Sequence, residues 1–212
     1  MNIRTILFDL DGTCIDTNAL IIASFTHTLK KHSNKIYSEE DILHFIGPPL
    51  YDSLVTVDPD NVDAMIETYR AHNIENHNRY VKAYPTVLET VKKLHEKGFR
   101  LGIVTTKMRD TALLGLEITG LKPYFEVVIG LDDVTNAKPH PEPVIKALTA
   151  LGETPQTALM VGDNYHDIEA GQNAGTKTAA VAWSIKGKEV LAGYQPDYML
   201  EEMSDLLTIL EV

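Results

Sequence analysis

Two aspartates separated by one residue, Asp9 and Asp11, follow the apolar run Ile6-Leu7-Phe8, and Gly12 and Thr13 come directly after. Like charges at the end of a buried strand are costly unless chemistry uses them. A third acid, Asp163, follows the apolar run of 157–161. Thr105, with Thr106 and Lys107 behind it, ends another such run, and Lys138 stands just before a helix start marked by Pro139-His140-Pro141. Parallel strands bind ligands at their carboxyl ends, so these four places should converge on one sheet edge. Carboxylates gathered there would repel one another unless a cation held them. All-oxygen donors select a hard ion, and a site that keeps waters suits Mg²⁺. Asp9, Asp11 and Asp163 are the expected ligand set.

The elements that must position these residues are legible as apolar runs and helical periodicities. Residues 3–9 read as a buried strand. Residues 18–33 carry apolar positions at helical spacing. Ser38 with three following acids predicts a helix start at 39, which Gly47-Pro48-Pro49 breaks. Pro59 marks the entry to a helix over 60–80. From residue 83 onward the texture alternates. Helices are predicted at 86–97, 109–119, 142–151, 165–174 and 201–211, with strands at 100–105, 126–130, 157–161 and 178–182. Several of these helices stop at glycine, and the strands lack polar alternation, as strands covered on both faces do. The expected fold is α/β: a doubly wound, Rossmann-like parallel sheet core of 1–15 and 83–212, with an all-α helical cap of 16–82 inserted.

A formal net charge of −11 argues against nucleic acid or an anionic membrane as partner. The single cysteine, Cys14, permits no intrachain disulfide and fits a reducing compartment. Asp9 and Asp11 interrupt the N-terminal apolar stretch, so it does not read as a signal peptide. No window approaches the ~18 uninterrupted apolar residues of a membrane span. The expected location is the cytoplasm.

Asp9-Leu10-Asp11-Gly12-Thr13 resembles the DxDGT signature of the haloacid-dehalogenase-like (HAD) phosphohydrolases. The rest of that family's pattern is present in order: Thr105, Lys138, and Gly162-Asp163-Asn164 with Asp167. The helical insert looks like the C1-type cap of these enzymes. The resemblance implies Asp9 as nucleophile, forming an aspartyl-phosphate, and Asp11 as general acid and base. It implies a Mg²⁺ ion held by Asp9, the backbone carbonyl of Asp11, and Asp163. Thr105 and Lys138 would hold the transferring group, and Gly12, Thr106 and Lys107 would bind phosphate. Asn164 and Asp167 would support the ion from behind. Cys14 stands where leucine is common, and Asn164 where serine or threonine is common; both changes leave the chemistry intact.

The stretch 45–52, containing Gly47, Pro48 and Tyr51, looks most like the bacterial pyrophosphatases of this family, with phosphoglycolate phosphatases close behind. As a loop lowered over the site it would read the leaving group. The expected partner is pyrophosphate or another small phosphorylated metabolite. A sugar phosphomutase and a non-catalytic phosphate-binding module are the competing readings. The insert carries six basic residues (Lys30, Lys31, Lys35, Arg70, Arg79, Lys82) against ten acids, so it is not a polyanion trap by charge alone.

Overall fold

The strand β1 (Thr5–Phe8) is buried at every position, because both of its faces are covered. The computed structural model describes residues 3–212. After β1 the chain turns into a two-residue strand, β2 (Ile15–Asp16), and then into four helices: α1 (Asn18–His32), α2 (Glu39–Leu43), α3 (Leu50–Leu54) and α4 (Val62–Tyr80). It returns through β3 (Lys82–Ala83), which pairs antiparallel with β2. The remainder alternates: α5 (Val87–Glu96), β4 (Arg100–Val104), α6 (Arg109–Ile118), β5 (Val127–Ile129), α7 (Glu142–Leu151), β6 (Ala158–Gly162), α8 (Tyr165–Ala174), β7 (Lys177–Val181), α9 (Lys188–Ala192), β8 (Tyr198–Leu200) and α10 (Asp205–Ile209).

Six strands form one parallel sheet in the order β5-β4-β1-β6-β7-β8. The order reverses at β1, whose neighbours β4 and β6 are distant in sequence: Thr5 pairs in register with Arg100, the first residue of β4, on one side and with Ala158, the first residue of β6, on the other. Such a switch point opens a crevice at the strands' carboxyl ends. Side chains alternate across the sheet. Ile6 and Phe8 join Leu101, Ile103 and Val161 in a core shared with α5, α6 and α10. Leu7 faces the other way, into a core with Val144, Leu148 and Leu151 of α7. The helices between β2 and β3 have a core of their own, with Phe25, Leu29, Ile42, Leu54 and Met65 at its centre.

The structure differs from the sequence expectations in its short elements. The helix α3 was not expected, because Gly47-Pro48-Pro49 reads only as a breaker; Pro49 instead serves as the residue that caps it. The helix expected from 39 to the Gly-Pro-Pro stops at Leu43, and the one expected from 60 starts at Val62 after Asn61. The ribbon of β2 and β3 is too short for any periodicity to mark it. At the C-terminal end, α9 and β8 were missed, and the final helix is Asp205–Ile209 rather than 201–211. Trp183 follows β7 and packs on Tyr84 with ring centroids 5.8 Å apart.

Candidate active site

Asp9 is held at the end of β1 by the ladder itself: its N–H donates to Val161 O at 2.8 Å. The backbone then turns sharply, with Cys14 and Ile15 both donating to Leu10 O. Gly12 sits at φ +85° in this turn, and a Cβ there would lie 2.3 Å from Asp163 Oδ2. Glycine is thus required for the turn and for the close approach of Asp163. Gly12 is buried and is not among the residues that line the cavity; its lack of a side chain makes room for the Asp163 carboxylate.

Asp163 and Asp167 are placed by the β6–α8 junction. Asn164 caps α8, and Asp167 Oδ2 accepts from Asn164 N at 3.0 Å, closing a capping box. Thr13 Oγ1 donates to Asp163 Oδ1 at 3.4 Å. Lys138 reaches these acids from the segment before α7, at the carboxyl ends of β1 and β4. Its Nζ donates to Asp9 Oδ1 at 2.7 Å, Asp167 Oδ1 at 2.5 Å and Val104 O at 2.8 Å, which uses all three of its protons. Burial opposes charge on this ammonium, but Asp167 and Asp9 outweigh it and push its pKa up.

One ammonium does not neutralise this cluster. Oxygens of Asp9, Asp163 and Asp167 lie within 4.8 Å of one another, and all three residues are buried. Burial is the main reason that Asp9 is raised from 3.8 to about 7, with Lys138 pulling the other way. Burial, then the charge of Asp9, raises Asp163 as well. Two uncompensated negative charges among oxygen-only donors fit a hard divalent cation. Asp11 stands apart from this trio: its Oδ1 accepts from Lys107 Nζ at 2.8 Å. Its expected part as a ligand rests on the backbone carbonyl, whereas Asp167, expected only in support, supplies the third converging carboxylate.

The raised acid fixes the sign of a pH effect. Between 3.8 and about 7 the folded protein keeps a proton on Asp9 that the unfolded chain has lost. The stability tied to this group is complete below the lower value and is lost as pH rises through the upper one. Protein stripped of divalent cations is therefore expected to melt at lower temperature near about pH 8 than near about pH 6, and added divalent cation should restore it. Thermal melts with and without the cation check this; equal melting temperatures would remove the basis for a cation site.

The cavity above these groups has a volume of about 170 Å³. Asp9, Asp11, Thr105, Thr106, Lys107, Lys138, Asp163, Asn164 and Asp167 line its floor, and Gly47 and Pro48 reach it from the helical segment. Thr105 Oγ1 accepts from Lys107 N at 3.1 Å, and Thr106 Oγ1 donates to Gly47 O at 3.3 Å. Gly47 has φ +117°, and a Cβ on it would lie 2.3 Å from Asn164 Nδ2. Tyr51 is not brought to the cavity. It lies on the solvent side of α3 at 50% exposure, and Leu50 lines the cavity in its place.

Sequence reasoning missed the roof. Ile21 and Phe25 of α1, Phe45, and Tyr69, Arg70 and Asn73 of α4 also line the cavity. The spacing of Tyr69 and Asn73 puts them on one helix face, but that pattern equally describes an ordinary core stripe. His77 of the same helix is fully buried, neither ring nitrogen has a partner among the described residues, and burial lowers it to about 4.

Comparison with known proteins gives these features a context. A family model described as haloacid dehalogenase-like hydrolase matches residues 6–181. A protein named pyrophosphatase PpaX from Anoxybacillus flavithermus is 62% identical over 212 residues, covering 100% of this chain and 99% of that one. Among solved structures, a haloacid dehalogenase-like family hydrolase from Streptococcus pneumoniae superposes with a TM-score of 0.88 at 26% identity, covering 99% of each chain. A predicted phosphoglycolate phosphatase from Haemophilus somnus superposes at 0.90 with 25% identity, again over 99% of each. An aspartate pair at the end of the central strand, a lysine on the first of them and acids from the next strand over fit this grouping, and the match spans most of the chain: it belongs to the haloacid dehalogenase-like hydrolase family.

Proposed function

We propose that this protein is a Mg²⁺-dependent phosphohydrolase that works through an aspartyl-phosphate on Asp9, with inorganic pyrophosphate as its substrate. The observation that carries the reading is the placement of Asp9: a buried carboxylate fixed through Oδ1 by Lys138, beside Asp163 and facing the cavity. The pyrophosphatase name of a relative 62% identical over the full chain supports the substrate. The same reading takes 16–82 as a cap, joined to a core of 1–15 and 83–212 near the β2–β3 ribbon, and places the protein in the cytoplasm. The separate core of the helical segment supports the division.

Mg²⁺ held by Asp9, Asp163 and the backbone carbonyl of Asp11, with Asp167 close by, would offset charge between an anionic nucleophile and an anionic substrate. The chain's own residues do the rest. Asp9 attacks one phosphorus; the bond from that phosphorus to the bridging oxygen breaks, and phosphate leaves. Phosphate is a stable anion, so this departure needs less proton donation than an alkoxide would. Asp11 then takes a proton from water as the water attacks the aspartyl-phosphate, which releases the second phosphate and regenerates Asp9. Lys107, which pairs with Asp11 and lines the cavity, would hold Asp11 in place and meet the substrate's second phosphoryl group. Lys138 keeps Asp9 oriented, and Thr105 donates to the transferring group.

The apolar part of the roof, Ile21, Phe25, Phe45 and Leu50, favours a second reading: a small organic phosphomonoester such as phosphoglycolate. A panel of pyrophosphate, phosphoglycolate and hexose phosphates, assayed for phosphate release with Mg²⁺, decides between them. Pyrophosphate is expected to lead, and EDTA is expected to abolish turnover. Phosphoglycolate outrunning pyrophosphate by a wide margin would move the assignment. A requirement for a sugar bisphosphate primer would point to a mutase, and no turnover at all to a binding module.

A further inference from the structure

The loop that roofs the cavity is fastened to the core away from the reacting groups. After β7, Ser184 Oγ donates to the backbone carbonyl of Asp163 at 2.6 Å, and Lys186 N donates to Ser184 Oγ at 3.0 Å. From this turn the Lys186 side chain crosses to the helical segment, where Nζ donates to Leu43 O at 2.7 Å. Leu43 is the last residue of α2, so its carbonyl lies beyond the helix's own ladder; among the described residues it accepts otherwise only a long 3.4 Å bond from Ile46 N. Ile46, Gly47 and Pro48, three to five residues further on, line the cavity. Thr106 holds the far end of the same loop through Gly47 O, and Gly47 lies close against Asn164.

Lys186 forms no ion pair among the described residues, and its partner is a neutral carbonyl. Burial lowers its pKa, against an opposing pull from Asp163. A half-buried ammonium on one carbonyl gains a charge-assisted hydrogen bond but gives up much of its hydration. These terms offset each other in large part. A contact of that kind can open and shut, whereas a carboxylate partner would lock it.

We propose that Lys186 is a positioning residue that seats the 43–48 loop over the phosphoryl site and, through Ser184, ties that seating to the backbone carrying Asp163. The inference rests on reading the helical segment as a cap over a phosphohydrolase site. When Lys186 lets go, the loop lifts, and the fraction of protein able to close on substrate falls. Apparent affinity falls by that fraction, while the reacting groups stay where they are.

The test compares wild type, Lys186→Met and Lys186→Arg. Methionine keeps the apolar stem without the ammonium; arginine keeps a donor of similar reach. Lys186→Met should raise KM for pyrophosphate about tenfold, with kcat changed by less than about threefold, and Lys186→Arg should restore most of the KM. Amide hydrogen exchange at residues 44–47 should speed up by about tenfold in the methionine variant, with the sheet amides unchanged. Unchanged exchange at 44–47 would overturn the proposal, as would a fall in kcat at constant KM, which would place Lys186 in the chemistry. Faster exchange spread through the sheet would also overturn it, as a general loss of folding. If wild type does not hydrolyse pyrophosphate, the functional reading fails, and the exchange measurement still decides the seating role.

Discussion

Lys138→Met is expected to cost both activity and stability. The substitution keeps most of the side chain's length and removes the ammonium that three acceptors surround. Asp9 and Asp167 are then left buried without their counter-charge, next to Asp163. Removing one partner of a buried pair typically costs about 3–5 kcal/mol, because the remaining charge is stranded. For a chain of this size that corresponds to a fall in melting temperature on the order of 10 °C. Phosphate release should drop at least about 10²-fold, since Asp9 loses the contact that orients it. Lysine is specified here rather than arginine: three acceptors converge on a single nitrogen, and a planar guanidinium cannot meet them in a buried slot. Lys138→Arg should therefore fail to rescue. Calorimetry at neutral pH without divalent cation checks the stability. A melting temperature equal to wild type would mean that Asp9 and Asp167 do not depend on Lys138 for their charge.

The parts of the site that were legible in the sequence are those whose placement follows from local chain geometry. Asp9 comes one residue after a strand buried on both faces, and such a strand shows as an unbroken apolar run. Asp163 and Asn164 follow β6 in the same way, and Gly152 and Gly175, both at positive φ, close α7 and α8 where a glycine stop was expected. The rest depends on how separate pieces dock. Phe25 and Tyr69 look like ordinary apolar positions on helices, and only the approach of α1 and α4 to the sheet edge makes them a roof. Ser184 and Lys186 lie in a loop with no pattern, and their partners are backbone carbonyls, which every residue possesses. The ribbon of β2 and β3 has two residues a side, fewer than one full alternation can show. Tyr51 was misplaced because the helix that turns it outward was hidden behind two prolines.

Asp9→Asn separates the chemistry from the fold, and its expected outcome opposes that of the lysine change in one respect. The amide fills the same space and its Oδ1 can still accept from Lys138. It has no anionic oxygen to attack phosphorus, so phosphate release with Mg²⁺ should fall by at least about 10³-fold for every substrate. Stability should move the other way. Burial and the neighbouring carboxylates make a negative charge on Asp9 unfavourable, which is why it is raised to about 7. Lys138 retains Asp167 as its counter-charge after the change. Metal-free Asp9→Asn should therefore melt no lower than wild type at neutral pH, and higher as the pH rises past about 7. Its gain on adding Mg²⁺ should be smaller, since one of the converging carboxylates is gone. A variant that turned over at near wild-type rate would remove Asp9 from the nucleophile's place. One that lost activity together with stability would mean that the acid is kept for packing, not for covalent chemistry.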